Sequence, residues 1–277
     1  MSFKKRDVRK PGRIHAFVAT PAYDGRVLTD YAVSLAESVQ AATIRGIQVT
    51  ATVIGNGAFI DLARNTFVRL FLETQCTHLF FIDADLKWEP RAFIGLLEAN
   101  LPVCAGVYPK RQDPEEYPVR FKEEGEDTGV WTRDGWVMCD RVATGFLCIE
   151  RGVIEQMVAR APVLKSTREP DLPRLFYTYV DETDRFVGED FAWCKDYVVQ
   201  FGCPIPVWPD FNFTHGVQWR GNWHQFLMKA SEEERAVDAA APKTPWQINR
   251  ERKDEEWKSM CEKQRIEATA SETSKAA

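Results

Sequence analysis

Over the first hundred residues the apolar positions come in short blocks, each closed by a turn or a helix-ending signal. Ile14 to Thr20 is a continuous apolar run followed by Pro21-Ala-Tyr-Asp-Gly, which predicts a buried strand ending in a loop. From Leu28 to Ile44, Tyr31, Leu35 and Val39 recur at a spacing of four. That is the period of a helix, with Thr29 or Asp30 placed to cap it and Gly46 to end it. Ile47 to Ile54 alternates and is rich in β-branched residues, so it reads as a second strand, broken by Gly55-Asn-Gly. A helix over 59–74 follows, then a strand Leu79-Phe-Phe-Ile that ends at Asp83. Trp88-Glu-Pro introduces a helix over 91–100, and 103–107 forms a fourth strand. The order β-α-β-α-β-α-β predicts an α/β layered fold with a mostly parallel sheet. In such sheets ligands bind at the C-terminal ends of the strands, so the polar groups that follow strands are the first candidates.

The second half changes character. Residues 110–142 are rich in turn formers, with short strands expected at 118–121 and 136–142. A strand over 145–149, a helix over 153–160, a short strand at 176–180 and a helix over 188–201 follow. The extended segments 206–208 and 211–214 lead to His215.

Charge divides the 277-residue chain into three parts. Residues 1–13 carry a net +5, residues 14–229 a net −8 and residues 230–277 a net −2, which together give the overall −5. The first part reads as a basic disordered arm, either a solvated tail or a contact to an anionic acceptor. The middle is one domain, and the last part is a charged, partly helical extension that Trp246 and Trp257 would dock. A content of 44% hydrophobic residues excludes a mostly disordered chain, and the acidic balance argues against a protein that coats nucleic acid. No apolar run reaches the roughly 18 residues of a membrane span, and the N-terminus shows no secretory signal. The seven cysteines form no Cys-x-x-Cys pair and most lie in apolar runs. Buried free thiols in a reducing, cytoplasmic setting are the expectation, and a cysteine zinc site has little support.

Three local patterns carry chemistry. In Phe80-Phe-Ile-Asp83-Ala-Asp85 an apolar strand delivers two carboxylates to a sheet edge. Alternate residues of an extended segment share a face, so both acids can turn toward one divalent ion, although a loop with two solvated acids has the same sequence. Gly188-Glu189-Asp190 opens a helix, where carboxylates suit the helix dipole and can also act as a general base. His215 ends an apolar extended run; it is either a packed histidine or a metal ligand. Trp208, Trp219 and Trp223 are either core and rim packing or a stacking platform for a sugar or base.

Taken in order, Thr20-Pro21-Ala-Tyr23, Ala63-Arg64-Asn65, Asp83-Ala-Asp85, Ala143-Thr144-Gly145-Phe146, Gly188-Glu189-Asp190 and His215 resemble a nucleotide-sugar-dependent glycosyltransferase of the GT-A fold. The likeness is to family-2-like bacterial and viral members and covers 14–229. It implies a Rossmann-like α/β domain and a metal, Mn²⁺ or Mg²⁺, held by Asp83, Asp85 and His215. Thr20, Pro21, Tyr23, Arg64, Asn65 and Asp83 would contact the nucleotide, with Arg220 placed to neutralise the diphosphate. Thr144, Gly145 and Trp219 would lie on the acceptor side, and Asp190, with Glu189 beside it, would be the base of an inverting reaction. The partners implied are a nucleoside-diphosphate sugar, a UDP-sugar foremost, and a glycan, protein or modified DNA base as acceptor, in the cytosol of a bacterium or of a virus-infected host. No acid after the second strand is placed to read the base ring; Asn56 or Asp61 stands nearest. The stretch 216–223, rich in glycine and tryptophan, is the expected mobile element.

Three rivals remain. A haloacid-dehalogenase-type phosphatase also places Asp-x-Asp after a strand, but on an early first strand, whereas two strand-helix units precede it here. A sugar nucleotidyltransferase would carry a Gly-rich basic loop after the first strand, which Pro21-Ala-Tyr-Asp-Gly-Arg matches poorly. A non-catalytic carbohydrate- or nucleic-acid-binding protein on the same fold would have less reason to keep the acids and His215.

Overall fold

A computed structural model describes residues 13–55, 59–121, 130, 132–165 and 170–238, with side chains as far as residue 231. The expectations for the basic arm, Asn56, Trp246, Trp257 and most of the C-terminal extension lie outside these residues. The elements run β1 (His15–Ala22), α1 (Thr29–Ile44), β2 (Gln48–Gly55), α2 (Ile60–Leu72), β3 (His78–Ile82), β4 (Leu86–Trp88), α3 (Pro90–Glu98) and β5 (Val103–Gly106). Then come β6 (Val119–Phe121), β7 (Thr132–Arg133), β8 (Trp136–Val142), β9 (Phe146–Glu150), α4 (Arg151–Val158), β10 (Val163–Leu164) and β11 (Leu172–Pro173). The chain continues through β12 (Tyr179–Val180), β13 (Phe186–Val187), α5 (Glu189–Phe201), β14 (Ile205–Trp208), β15 (Asn212–His215), β16 (Trp219–Asn222) and α6 (Trp223–Asp238).

The central sheet has the order β2-β1-β3-β9-β5-β14-β8-β6, with β7 on β8. β1 pairs in parallel with β2 and β3, and β5 in parallel with β14. β9 runs antiparallel between β3 and β5, and β8 antiparallel to β14 and β6. The strands therefore point mostly one way, and the fold is the α/β class with a mostly parallel central sheet that the sequence predicts. The βαβαβ unit at the start is Rossmann-like, as the GT-A resemblance implies.

The inner strands bury both faces, which is why they read as continuous apolar runs rather than alternating ones. Phe17, Ala19, Leu79 and Phe81 point into one core, which includes Phe67, Val153 and Trp193 from the helices α2, α4 and α5. Ala16, Val18, Phe80 and Ile82 point into the other, which includes Tyr31 of α1 and Phe93 of α3. α1 starts without a side-chain cap: Leu28 is its N-cap, not Thr29 or Asp30. The Leu28 N–H instead donates to the carbonyl of Ala84 (2.9 Å), which ties the start of α1 to the turn between the two aspartates. Gly46 ends this helix region with φ +72°, a left-handed conformation that favours glycine.

The stretch 216–223, the expected mobile element, is largely regular. β15 and β16 form a hairpin, and β15 also pairs with the short strand β4, so only the 216–218 turn stands free of strand pairing. Of the two readings of Trp223, packing holds: it is 1% exposed and stacks on Phe121 at 5.8 Å. It also begins a helix before residue 230. Trp208 packs edge-on against Trp136. Among the described residues the cysteines are free thiols, with only Cys203 exposed, and no helix is long and apolar enough to cross a membrane.

Candidate active site

A cleft of roughly 920 Å³ opens where β1 and β3 end. One wall is the end of β1 and the loop after it, with Pro21, Tyr23 and Arg26; the cleft is also lined by Asp83 and Asp85 and by Arg111, His215 and Trp219. The position follows from topology, because β1 and β3 are adjacent parallel strands whose C-terminal ends face the same side.

The two aspartates do not share one face. Leu86 N–H bonds to the Asp83 carbonyl (3.2 Å), so the chain turns there instead of continuing extended, and the carboxylates part. Asp83 points inward. Its Oδ1 faces Arg64 Nη2 at 3.3 Å, and its Oδ2 accepts from the Tyr108 hydroxyl at 3.2 Å. Its backbone N–H donates to the Gly145 carbonyl at 3.0 Å. A Cβ on Gly145 would stand 2.2 Å from the Tyr108 hydroxyl and 2.3 Å from Asp83 Oδ2, so this approach requires glycine.

Asp85 points into the cleft, where its Oδ2 pairs with Arg111 and lies 3.6 Å from His215 Nε2. His215 arrives there because β15 pairs with β4, setting His215 opposite Leu86. The Gly216 N–H then bonds the Asp85 carbonyl (2.8 Å). His215 Nδ1 donates to the Pro109 carbonyl at 2.9 Å, which turns the Nε2 lone pair toward Asp85. Burial, the dominant influence, holds His215 below the usual imidazole value against that hydrogen bond, so the ring is neutral near pH 7.

Behind Asp83 lies a second cluster. Arg64 is 3% exposed; it reaches Asp83 and places Nε 3.4 Å from Glu189 Oε1, with its guanidinium over the rings of Phe81 and Phe176. Burial disfavours its charge, but Asp83 and Glu189 outweigh that and raise its value above the ordinary one. Glu189 and Asp190 form the first turn of α5 after Gly188. Asp190 Oδ1 accepts from the Phe191 N–H at 2.7 Å. Burial first, and Glu189 second, push the Asp190 carboxyl up to about 6, against the opposing pull of Phe191 N–H and Arg64. Burial and Asp83 likewise push the Tyr108 phenol well above its ordinary value, so it stays a hydrogen-bond donor.

Several expected site residues stand elsewhere. Asn65 is a structural clamp. It is 1% exposed, outside the cleft lining, donates to the Phe176 carbonyl (2.7 Å) and accepts from the Leu175 and Phe176 N–H groups (2.9 Å each). Thr20 is buried and bonds Tyr31. Thr144 is buried too, and its hydroxyl meets no hydrogen-bond partner among the described residues. Arg220 is exposed and does not line the cleft; Arg111 and Arg26 are the cations that do. Glu189 and Asp190 stand behind Asp83 rather than in the cleft wall.

The expected three-ligand metal set is not assembled. Among the described residues no three acidic, histidine or cysteine side chains converge to hold an ion. What remains fits an ion in part: a carboxylate oxygen and an imidazole lone pair, 3.6 Å apart and open to the cleft. That is the donor chemistry of a site completed by phosphate oxygens and water.

No family model matches the chain, and no curated protein does. Among solved structures it is similar to an inositol-1-phosphate CTP transferase from T. maritima, at 11% identity over 74% of this chain and 89% of that one, with a TM-score of 0.37. It is also similar to a UDP-glucose pyrophosphorylase complexed with UDP-glucose, at 9% identity over 81% and 99%, TM-score 0.36. A third is a glycosyltransferase involved in glycosylating the major capsid of PBCV-1, at 10% identity over 52% of this chain and 63% of that one, TM-score 0.27.

Proposed function

We propose that the chain is a glycosyltransferase that moves a sugar from a nucleoside-diphosphate sugar to an acceptor hydroxyl with inversion. One arrangement carries the reading: a cleft at the ends of β1 and β3 lined by Pro21, Tyr23, Asp83, Asp85, Arg111 and His215, with the Asp190 carboxyl, pushed up to about 6, behind Asp83 at the start of α5. The nucleotide lies against Pro21 and Tyr23, and the diphosphate lies by Asp85 and His215. The acceptor, a glycan, protein or modified DNA base, approaches from the Asp190 side. Asp190 takes the proton of the attacking hydroxyl. The new bond to the sugar carbon forms as the bond to the diphosphate oxygen breaks, and the diphosphate leaves with that electron pair. Glu189 is a weaker candidate for the base, because its carboxylate is paired with Arg64. Asp85 and His215 would hold a divalent ion, Mn²⁺ or Mg²⁺, which when bound neutralises charge on the leaving diphosphate.

The test is a screen of nucleotide sugars with Mn²⁺ and candidate acceptors, reading released nucleoside diphosphate and glycosylated product. Release of diphosphate without transfer to any acceptor would count against a transferase. One feature favours a second reading, a sugar nucleotidyltransferase: Arg26 enters the cleft directly after β1, where that class carries a basic loop. Pyrophosphate release from a nucleoside triphosphate and a sugar 1-phosphate would establish it instead.

The same assay predicts a pH profile. Transfer is expected to rise with pH through about 6 and then level, because protonated Asp190 cannot accept a proton. The stability effect has the opposite sign. The folded carboxyl sits above its ordinary 3.8, so the folded chain binds that proton more tightly. Asp190's contribution to stability is therefore greatest below about 4 and falls as pH rises through 6. A kcat profile with no acid limb near 6 would remove Asp190 as the base.

A further inference from the structure

One short segment after β5 touches all three of the groups expected to serve the diphosphate. The Tyr108 hydroxyl donates to Asp83, the Pro109 carbonyl receives His215 Nδ1–H, and Arg111 pairs with Asp85. The segment is braced from behind. The Lys110 N–H bonds the Glu116 carbonyl (2.7 Å), and the side chains of Lys110 and Gln112 both reach the Glu116 carboxylate. Arg111 projects from this braced turn, half exposed, across Gly216: its Nε is 3.6 Å from where a Cβ on Gly216 would stand.

The oxygen that Arg111 holds, Asp85 Oδ2, is the one that faces His215 Nε2. An ion joining the carboxylate to the imidazole needs that oxygen, so guanidinium and ion compete for it. Arg111, Asp85 and His215 all line the cleft that the diphosphate would fill. On the nucleotide-sugar reading of the cleft, we propose that Arg111 is an exchangeable counter-ion. It neutralises Asp85 while the cleft is empty, gives the carboxylate up to the divalent ion, and then binds the phosphates of the incoming donor. A guanidinium suits both partners, because its fork of N–H donors matches carboxylate and phosphate alike. The bracing of residues 110–116 lets the side chain swing while Pro109 keeps orienting His215. The consequence is coupled binding: ion and nucleotide each favour the Arg111 position that the other needs, and such coupling is reciprocal.

The experiment measures free Mn²⁺ by electron paramagnetic resonance over the full-length chain, as wild type, Arg111→Ala and Arg111→Lys. Each is titrated alone and then with a nucleoside diphosphate, UDP first and ADP, CDP, GDP and TDP in turn. Without nucleotide, Arg111→Ala is expected to bind Mn²⁺ about fivefold more tightly than wild type, the size of losing one partly exposed ion pair. With Mn²⁺ saturating, the same variant is expected to bind the diphosphate about tenfold more weakly, and Arg111→Lys falls between. That reversal of sign distinguishes exchange from simple support of the fold, which a thermal melt reports separately. If Arg111→Ala leaves Mn²⁺ affinity unchanged or weaker in the absence of nucleotide, the exchange is overturned and the nucleotide-sugar reading stands. If none of the chains binds any of the diphosphates, with or without Mn²⁺, both fall.

Discussion

Asp190→Asn is expected to lower kcat for sugar transfer by about 10²–10⁴-fold, the usual range for loss of a general base, with nucleotide affinity changed by less than about twofold. The replacement is nearly isosteric, and its amide oxygen can still accept from the Phe191 N–H, as the carboxylate does at 2.7 Å. What it cannot do is take a proton. Hydrolysis of the donor should be followed beside transfer, since water can replace a poorly activated acceptor. Near-normal transfer by this variant would remove Asp190 from the mechanism and leave the acid limb of the pH profile to another group.

The second large effect is on the fold. Arg64→Met is expected to destabilise the chain by about 2–4 kcal/mol at pH 7, measured by urea unfolding, because it leaves partly buried carboxylates without their buried counter-charge. Arg64 is 3% exposed and faces Asp83 at 3.3 Å and Glu189 at 3.4 Å, with Asp190 close enough to feel its charge. The loss should shrink as pH falls through about 6, because the Asp190 carboxyl takes up its proton there and no longer needs a counter-charge. Arg64→Lys keeps a charge but not the two-ended reach, so it is expected to fold and to lose less. An equal loss at pH 5 and pH 8 would assign the effect to packing on Phe81 and Phe176 instead.

The strands that hold the cleft were legible because each is a local pattern. Ile14–Thr20, Ile47–Ile54 and Leu79–Ile82 are short apolar or alternating runs with clear ends, and all three are strands. Asp83 and Asp85 stood out because they follow one of those runs. Their different orientations were not legible. They depend on a turn at Asp83 and on β4, a three-residue strand whose partner is at 213–215. No window in the sequence joins those two pieces. Arg111 was not legible as a cleft residue for another reason: it follows the strand that ends just before Tyr108-Pro-Lys-Arg, and nothing in that run sets it apart from Lys110. Arg220 lies close to His215 in sequence. In the hairpin, however, it pairs with Thr214 and is exposed outside the cleft. Asn65 shows the opposite error: a polar residue beside a buried arginine is a clamp on residues 175–176.

The antiparallel strand β9, lodged between β3 and β5, also sets when the cleft can be completed during synthesis. β3 pairs with β1 as soon as both have emerged, but its other edge waits for residues 146–150. Until then the Asp83 N–H has no Gly145 carbonyl to bond, and Phe80 and Phe81 lie on an unpaired edge. At roughly 5–20 residues per second, the interval between residue 83 and residue 145 is about 3–12 s. The nascent chain therefore carries an apolar open edge for seconds. Chaperone dependence, or aggregation of products truncated before residue 146, is where the cost of this topology should be visible.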